Sequence, residues 1–415
     1  MTIQYSYIIS HFSYTATLFL FNLGAAKILG PSRWGEISIV LLYFQYLPLL
    51  TFGLFNGMGL RIPIINIRGN NPLSKHIVGS TILIIFVLFI VLMVPIIYLL
   101  FKYLYDFTTS EIIIVIVVYC IYLLFVTLKM VMRSLSAFNL FAASNILLSI
   151  LLVVGIVLVH YGFDYFIVFA SVIMITEIFI FIRIRDQSKY SIKYSLEHRT
   201  YFKKLIQIGF PVLMVGILYE FMLTIDKVLL TMMVSTSELG IYSLASMIFR
   251  GCFILGIAMS TYYIPDIIKC HGARDYSEMI RLSKHLQKIS VIFIILVSVV
   301  ISIFYKYVIS NYMPEYSLIK YPLIIMLVSA AIMPLALYGN ILNIISRQKV
   351  YFQSLIISTF INGILTYILL ANGYGINGAA ISLLCSILFF VSYLRYYGKI
   401  IFNKLISDNE KRFSV

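Results

Sequence analysis

The chain has 415 residues, of which 61% are hydrophobic and 11% charged, and its mean hydropathy is +1.00. A water-soluble domain has roughly a quarter of its residues charged, so this composition excludes a soluble enzyme with an ordinary polar surface. The net charge of +15 is not by itself a nucleic-acid signature, because lysine and arginine also set the orientation of membrane helices.

Apolar runs of about 20 residues, enough to cross a hydrocarbon core of about 30 Å, recur along the whole length. In chain order the predicted spans are 7–28, 35–58, 77–101, 111–133, 138–160 and 164–184, followed by 205–233, 239–263, 288–309, 319–345, 351–371 and 376–398. Continuous apolar runs are not the alternating pattern of a membrane barrel, so the fold class is all-α and polytopic, with about twelve helices. The opening MTIQYSYIISHF has neither a basic region nor a small-residue cleavage site, which predicts that the first run remains as a helix. Cys120, Cys252, Cys270 and Cys385 show no CxxC spacing, so neither a disulfide nor a metal site is expected.

The lysines and arginines give the spans a direction. With a cytoplasmic N-terminus, the inside segments 61–75, 129–133, 183–204, 269–288, 347–349 and 395–412 hold 24 of the 31, and the outside segments hold five, Lys27, Arg33, Lys102, Lys306 and Lys320. The remaining two, Lys227 and Arg250, fall within spans. This bias predicts cytoplasmic N- and C-termini and accounts for the basic balance with no nucleic-acid partner.

Six spans lie on each side of the basic stretch, giving an N-terminal lobe 1–184, a cytoplasmic linker 185–204, a C-terminal lobe 205–398 and a tail 399–415. Ser32-Arg33-Trp34-Gly35-Glu36-Ile37-Ser38 aligns with Ser237-Glu238-Leu239-Gly240-Ile241-Tyr242-Ser243, keeping the glycine and both outer serines. An offset of six helices preserves orientation, so the halves are expected to be parallel repeats with a cavity between them.

Charges at mid-bilayer each cost about 2.5 to 3.5 kcal/mol on insertion scales and so need a reason. On a continuous seventh helix, Glu220, Thr224, Lys227 and Thr231 would share one face while Asp226 points about 100° away from Lys227. The eighth span carries a stripe of Ser243, Ser246 and Arg250, with Arg250 at a depth between Asp226 and Glu220. Two readings stand side by side. In one, Arg250 and Lys227 bind an anionic head in a water-filled cavity while Glu220, Asp226 or Glu177 couples movement to an ion; in the other, the charges only pair helices, with Arg183 near Glu177.

Uncharged polar residues carry the same two readings, cavity lining or helix glue. They are His11, Thr15 and Asn22 on the first span, Gln45 and Asn56 on the second, Asn340 and Asn343 on the tenth and Asn362 on the eleventh. Lys129 and Arg133 are expected to snorkel from the end of the fourth span. No phosphate-binding loop, H-E-x-x-H or soluble segment is present to house catalysis, so no enzyme activity and no cofactor are expected.

Several stretches resemble the polysaccharide-exporter and O-antigen flippase (Wzx-type) family of the multidrug/oligosaccharidyl-lipid/polysaccharide (MOP) superfamily. They are AlaAlaLysIleLeuGlyPro at 25–31 with TrpGlyGluIleSer at 34–38, GlyPhePro at 209–211 with IleAspLysValLeuLeu at 225–230, GlyIleTyrSerLeuAla at 240–245, and TyrGlyIleAsnGlyAlaAlaIleSer at 374–382. The family's lipid II flippase relatives have fourteen spans, where this chain has twelve. The resemblance implies a two-lobed, V-shaped bundle with a basic central cavity in a bacterial inner membrane. Its implied cargo is an undecaprenyl-pyrophosphate-linked repeat unit for O-antigen, capsule or exopolysaccharide; its implied surroundings are membrane lipids and a polysaccharide polymerase. Asp226 and Lys227 match the family's acidic-basic pair on the seventh helix. A drug/cation antiporter of the same fold and a sugar polymerase are the rival functions, the latter disfavoured by the lack of a large outside loop.

Overall fold

The computed structural model describes residues 2–67, 71–103, 108–135, 137–186, 199–273, 275–337 and 348–413, with Gly339, Leu342 and Ile345 between the last two stretches. Helix α1, Thr2–Phe44, has two legs that meet at Gly30 (φ 74°), where Pro31 follows. Glycine takes that φ without steric cost, and a proline at the start of a helical leg gives up only an N–H with no helical partner there. A predicted boundary between the first two spans therefore survives as a kink.

The expected second span, 35–58, is not one helix. After Phe44 the chain makes a 3-10 turn, Leu47–Thr51, passes through left-handed Phe52 (φ 47°) and Gly53 (φ 82°), and resumes as α2, Leu54–Ile67. Pro48 opens the turn and Thr51 Oγ1 donates to its carbonyl at 2.7 Å. Apolarity alone carries no record of this break, because Phe52 is as hydrophobic as a helical neighbour would be.

Next come α3, Asn71–Tyr103, α4, Thr109–Ser134, α5, Phe138–His160, and α6, Tyr165–Asp186. Helix α4 starts at a capping box in which Thr108 and Glu111 each satisfy the other's backbone N–H. The expected seventh span is split into α7, Arg199–Met222, and α8, Ile225–Met233. A second capping box, Ser235 with Glu238, opens α9, Thr236–Gly272. The chain continues as α10, Tyr276–Tyr312, and, after a 3-10 turn at Pro314–Ile319, as α11, Lys320–Ile332. The expected tenth span, 319–345, leaves α-geometry for a 3-10 stretch, Met333–Leu337, that contains Pro334. Last are α12, Gln348–Ala371, and α13, Gly375–Phe413.

Nine helices among the described residues are long and apolar enough to cross a membrane. Since α1 supplies two legs, and α3 and α9 are further long helices of apolar sequence, the architecture is the all-α, roughly twelve-span one expected. The outward stripes fit lipid. On α5, Ile146, Ile150, Val153 and Val157 are exposed at helical spacing, as are Ile292, Leu296, Val299 and Ile303 on α10. Such faces are stable only against hydrocarbon, so the chain is a multi-pass membrane protein.

Two compact units divide the chain, Met1–Ile28 with Val40–Ile217, and Leu29–Ile39 with Leu218–Val415. Within the first, α2, α3 and α7 bury Leu54, Met58, Ile62, Ile77, Val78 and Leu205 together. Water drives no helix association inside lipid, so close packing has to hold such contacts. It does so at α2 and α7, where a Cβ on Gly57 would lie 2.2 Å from the Leu205 carbonyl oxygen and one on Gly209 2.0 Å from that of Gly53. In the second unit Ile267, Met279, Leu286 and Phe402 form a core shared by α9, α10 and α13, and Ser386 Oγ donates to the Ser358 carbonyl at 2.9 Å to tie α13 to α12.

Candidate functional site: a charged cluster on α7, α8 and α9

The site is built on the break in the seventh span. Because the helix stops at Met222 and restarts at Ile225, the single face expected for Glu220, Thr224, Lys227 and Thr231 does not run through; Thr224, at φ −139°, lies outside both helices. The carbonyl of Met222, at the end of α7, instead accepts a hydrogen bond from Asn362 Nδ2 on α12 at 2.9 Å. Interrupted backbone is tolerated at membrane depth where such a side chain satisfies it. Asn362 is fully buried, its Oδ1 accepts from Thr366 Oγ1 at 3.2 Å, and its role is to hold this break.

Restarting the helix puts Asp226 in the first turn of α8, where the helix dipole favours a carboxylate. The side chain is 1% exposed. One oxygen accepts from the Lys227 backbone N–H at 2.7 Å, and the other accepts from the Tyr242 hydroxyl on α9. Lys227 is itself buried, and it interacts electrostatically with Asp226, Glu220 and Arg250. Across the break, on α7, Glu220 Oε2 accepts from Arg250 Nη1 of α9 at 3.0 Å, and these two side chains are 35% and 26% exposed. Two acids and two cations thus form one charge-balanced cluster, with a sealed end at Asp226, Tyr242 and Lys227 and a half-open end at Arg250 and Glu220.

The pairing of Arg250 with Glu220 was one of the two expected from depth. Tyr242 was not expected in the site. Its phenol was legible only as the residue preceding Ser243 in the polar stripe on α9, at the level of Asp226. Tyr219 was missed likewise; it interacts with Glu220, Arg250 and Tyr351. The stripe itself is buried at Ser243 and Ser246, and Ser243 Oγ has no hydrogen-bond partner among the described residues.

Elsewhere, Glu177 on α6 is 6% exposed, and its Oε1 has no hydrogen-bond partner among the described residues. Arg183 lies over the Phe179 ring, 5.6 Å from its centroid. Asn22 Oδ1 accepts from Tyr165 OH at 2.8 Å beside the stacked rings of Phe21 and Tyr165, which joins α1 to α6. Thr15 Oγ1 donates to the His11 carbonyl within its own helix at 2.8 Å. Asn340 and Asn343 lie outside the described residues. Lys129 does not snorkel; it turns onto α5 and donates to Ser144 Oγ at 2.8 Å and to Asn145 Oδ1.

The fold carrying this cluster is that of a class of membrane transporters and flippases, seen in solved structures over nearly the whole chain. An inward-facing multidrug resistance MATE family transporter of the MOP superfamily matches with a TM-score of 0.79 at 15% identity, over 96% of this chain and 99% of its own. The lipid II flippase MurJ in an inward closed conformation matches at 0.67 and 15% identity, over 96% of this chain and 89% of its own. A Vibrio cholerae MATE transporter matches at 0.61 and 15% identity, over 98% and 99%. At these identities the likeness is one of fold. No known family model and no curated protein matches the sequence.

Proposed function

We propose that the chain is a Wzx-type flippase that moves an undecaprenyl-pyrophosphate-linked oligosaccharide from the cytoplasmic to the periplasmic leaflet of a bacterial inner membrane by alternating access. The carrying observation is the half-open Arg250–Glu220 pair at 3.0 Å, set in apolar helices. Hydrocarbon solvates neither charge, so partial exposure at this depth suits a water-filled path. The planar guanidinium of Arg250 presents its donors in the fork geometry that suits a phosphate. Lys227 adds a second cation, while Glu220, Asp226 and Glu177 are the groups we assign to ion coupling. Asn22 and Asn340 are assigned to the polar wall. The likeness to MurJ, whose name describes a flippase of a lipid-linked molecule, supports this reading.

A cation or drug antiporter is the second reading, favoured by the MATE neighbours and by the equal number of acids and cations in the cluster. Gene deletion separates the two. The flippase reading expects loss of surface polysaccharide, restored by the wild-type chain and not by Arg250→Ala. Normal polysaccharide with raised drug sensitivity would overturn it in favour of the antiporter.

A further inference from the structure

The first compact unit holds a cationic cluster of a different kind from the balanced one on α7, α8 and α9. Lys129 stands five residues before the end of α4, about 7.5 Å along the axis. Its ammonium lies 4.6 Å from the centroid of the Phe141 ring and 5.2 Å from that of Phe125. The same Phe141 ring has the Arg133 guanidinium carbon 5.9 Å from its centroid and the His11 ring 6.5 Å away. Three cationic or ionisable groups therefore gather around one aromatic side chain, and His11 interacts electrostatically with both Lys129 and Arg133. The hydrogen-bond acceptors of Lys129, Ser144 and Asn145, are neutral.

A cation held away from water with neutral partners is normally compensated by an anion. Among the described residues Lys129 has no carboxylate at salt-bridge distance, whereas Arg250 has Glu220. Asn145 supplies an independent observation. It is 1% exposed, its Oδ1 is taken by Lys129, and its Nδ2 has no hydrogen-bond partner among the described residues. A buried amide donor beside an ammonium, with Arg133 exposed one turn along, calls for an acceptor carrying negative charge. The cluster sits towards one end of α4, and the ends of a spanning helix are the parts nearest the lipid phosphates.

We propose that Lys129, Arg133 and the Asn145 amide form a phosphate site in the first unit, distinct in residues from the Arg250–Glu220 pair. Its ligand is a lipid phosphate, either the pyrophosphate of a polyprenyl-linked cargo or the phosphodiester of an anionic bilayer lipid. The first source rests on the flippase reading and deepens it, giving the cargo headgroup a second cationic station; the second source does not depend on that reading.

The test uses the full chain in nanodiscs of phosphatidylcholine, titrated separately with undecaprenyl pyrophosphate and with phosphatidylglycerol. Lys129→Gln with Arg133→Gln is expected to weaken binding of one of these at least tenfold, and Lys129→Arg to restore most of it. Asn145→Asp is the second variant, since it places a carboxylate beside the ammonium, fills the site from within and should weaken binding while the fold holds. Loss of undecaprenyl pyrophosphate binding identifies the cargo; loss of phosphatidylglycerol binding alone identifies a resident lipid and leaves the flippase reading standing. Wild-type binding that none of these variants alters overturns the site and leaves the flippase reading standing.

Discussion

Gly35 and Gly240 meet backbone to backbone: a Cβ on Gly35 would lie 1.9 Å from the Thr236 carbonyl oxygen, and one on Gly240 would lie 1.9 Å from that of Pro31. The contact is reciprocal, because each glycine lies against the residue four positions before the other. Ser32 Oγ and Thr236 Oγ1 are 3.4 Å apart at the same crossing. These are the two segments whose sequences align, so the matching glycines mark a contact of the self-complementary kind that a local two-fold relationship produces.

Gly35→Ala or Gly240→Ala forces this crossing apart. Each should cost more than the ~1–3 kcal/mol typical of overpacking, because the clash is with backbone and cannot be relieved by a rotamer. Gly59→Ala and Gly216→Ala meet nothing within 4 Å and should leave stability unchanged or slightly raised. Thermal unfolding midpoints in detergent check this; equal midpoints for Gly35→Ala and Gly59→Ala would contradict it.

Tyr242→Phe removes the hydroxyl that donates to buried Asp226 and leaves that carboxylate with the Lys227 N–H. A buried acceptor deprived of a partner costs about 1–3 kcal/mol. Adding Asp226→Asn should cost less in the Tyr242→Phe background than in the wild type, as coupled neighbours do. Additive losses in the double variant would show that the pair does not act as a unit.

Asn362→Leu keeps the branched shape of the side chain and takes away the donor to Met222 O. The expected cost is about 1–3 kcal/mol from the unsatisfied carbonyl. Faster hydrogen exchange should be confined to the residues around 222–226. Exchange unchanged there would mean that the break needs no such support.

Arg250→Ala separates transport from stability. Half-exposed ion pairs contribute about 0–1 kcal/mol to stability, so the variant should unfold close to the wild-type temperature. Its transport should fall at least tenfold. A large drop in unfolding temperature together with the loss of transport would mark the pair as a clamp.

Hydropathy made the twelve legs legible because each must cover about 30 Å of hydrocarbon, and α5 begins and ends where its apolar run does. The breaks were not legible. Phe52, Leu223 and Met333 are apolar, and the energy that decides their backbone lies in distant partners such as the Asn362 amide and the backbone of α7 against Gly53. The charges of the site could be read because each is costly in lipid, and relative depth narrowed the partner of Arg250 to Asp226 or Glu220, of which the structure pairs it with Glu220. Tyr242 was hidden, since one phenol among 32 tyrosines carries no mark until the break in the seventh span turns Asp226 toward it. Lys129 near the end of a span reads as a snorkelling side chain, and only the positions of Ser144 and Asn145 on α5 show it facing inward.

Reconstitution of the purified chain in proteoliposomes with a labelled undecaprenyl-pyrophosphate oligosaccharide on one leaflet tests the central claim most directly. The wild type should expose the label to a glycan-cleaving enzyme added on the opposite side at least tenfold faster than Arg250→Ala or empty vesicles. Label that stays on its original leaflet, in vesicles that exchange a cationic drug for protons, would contradict it.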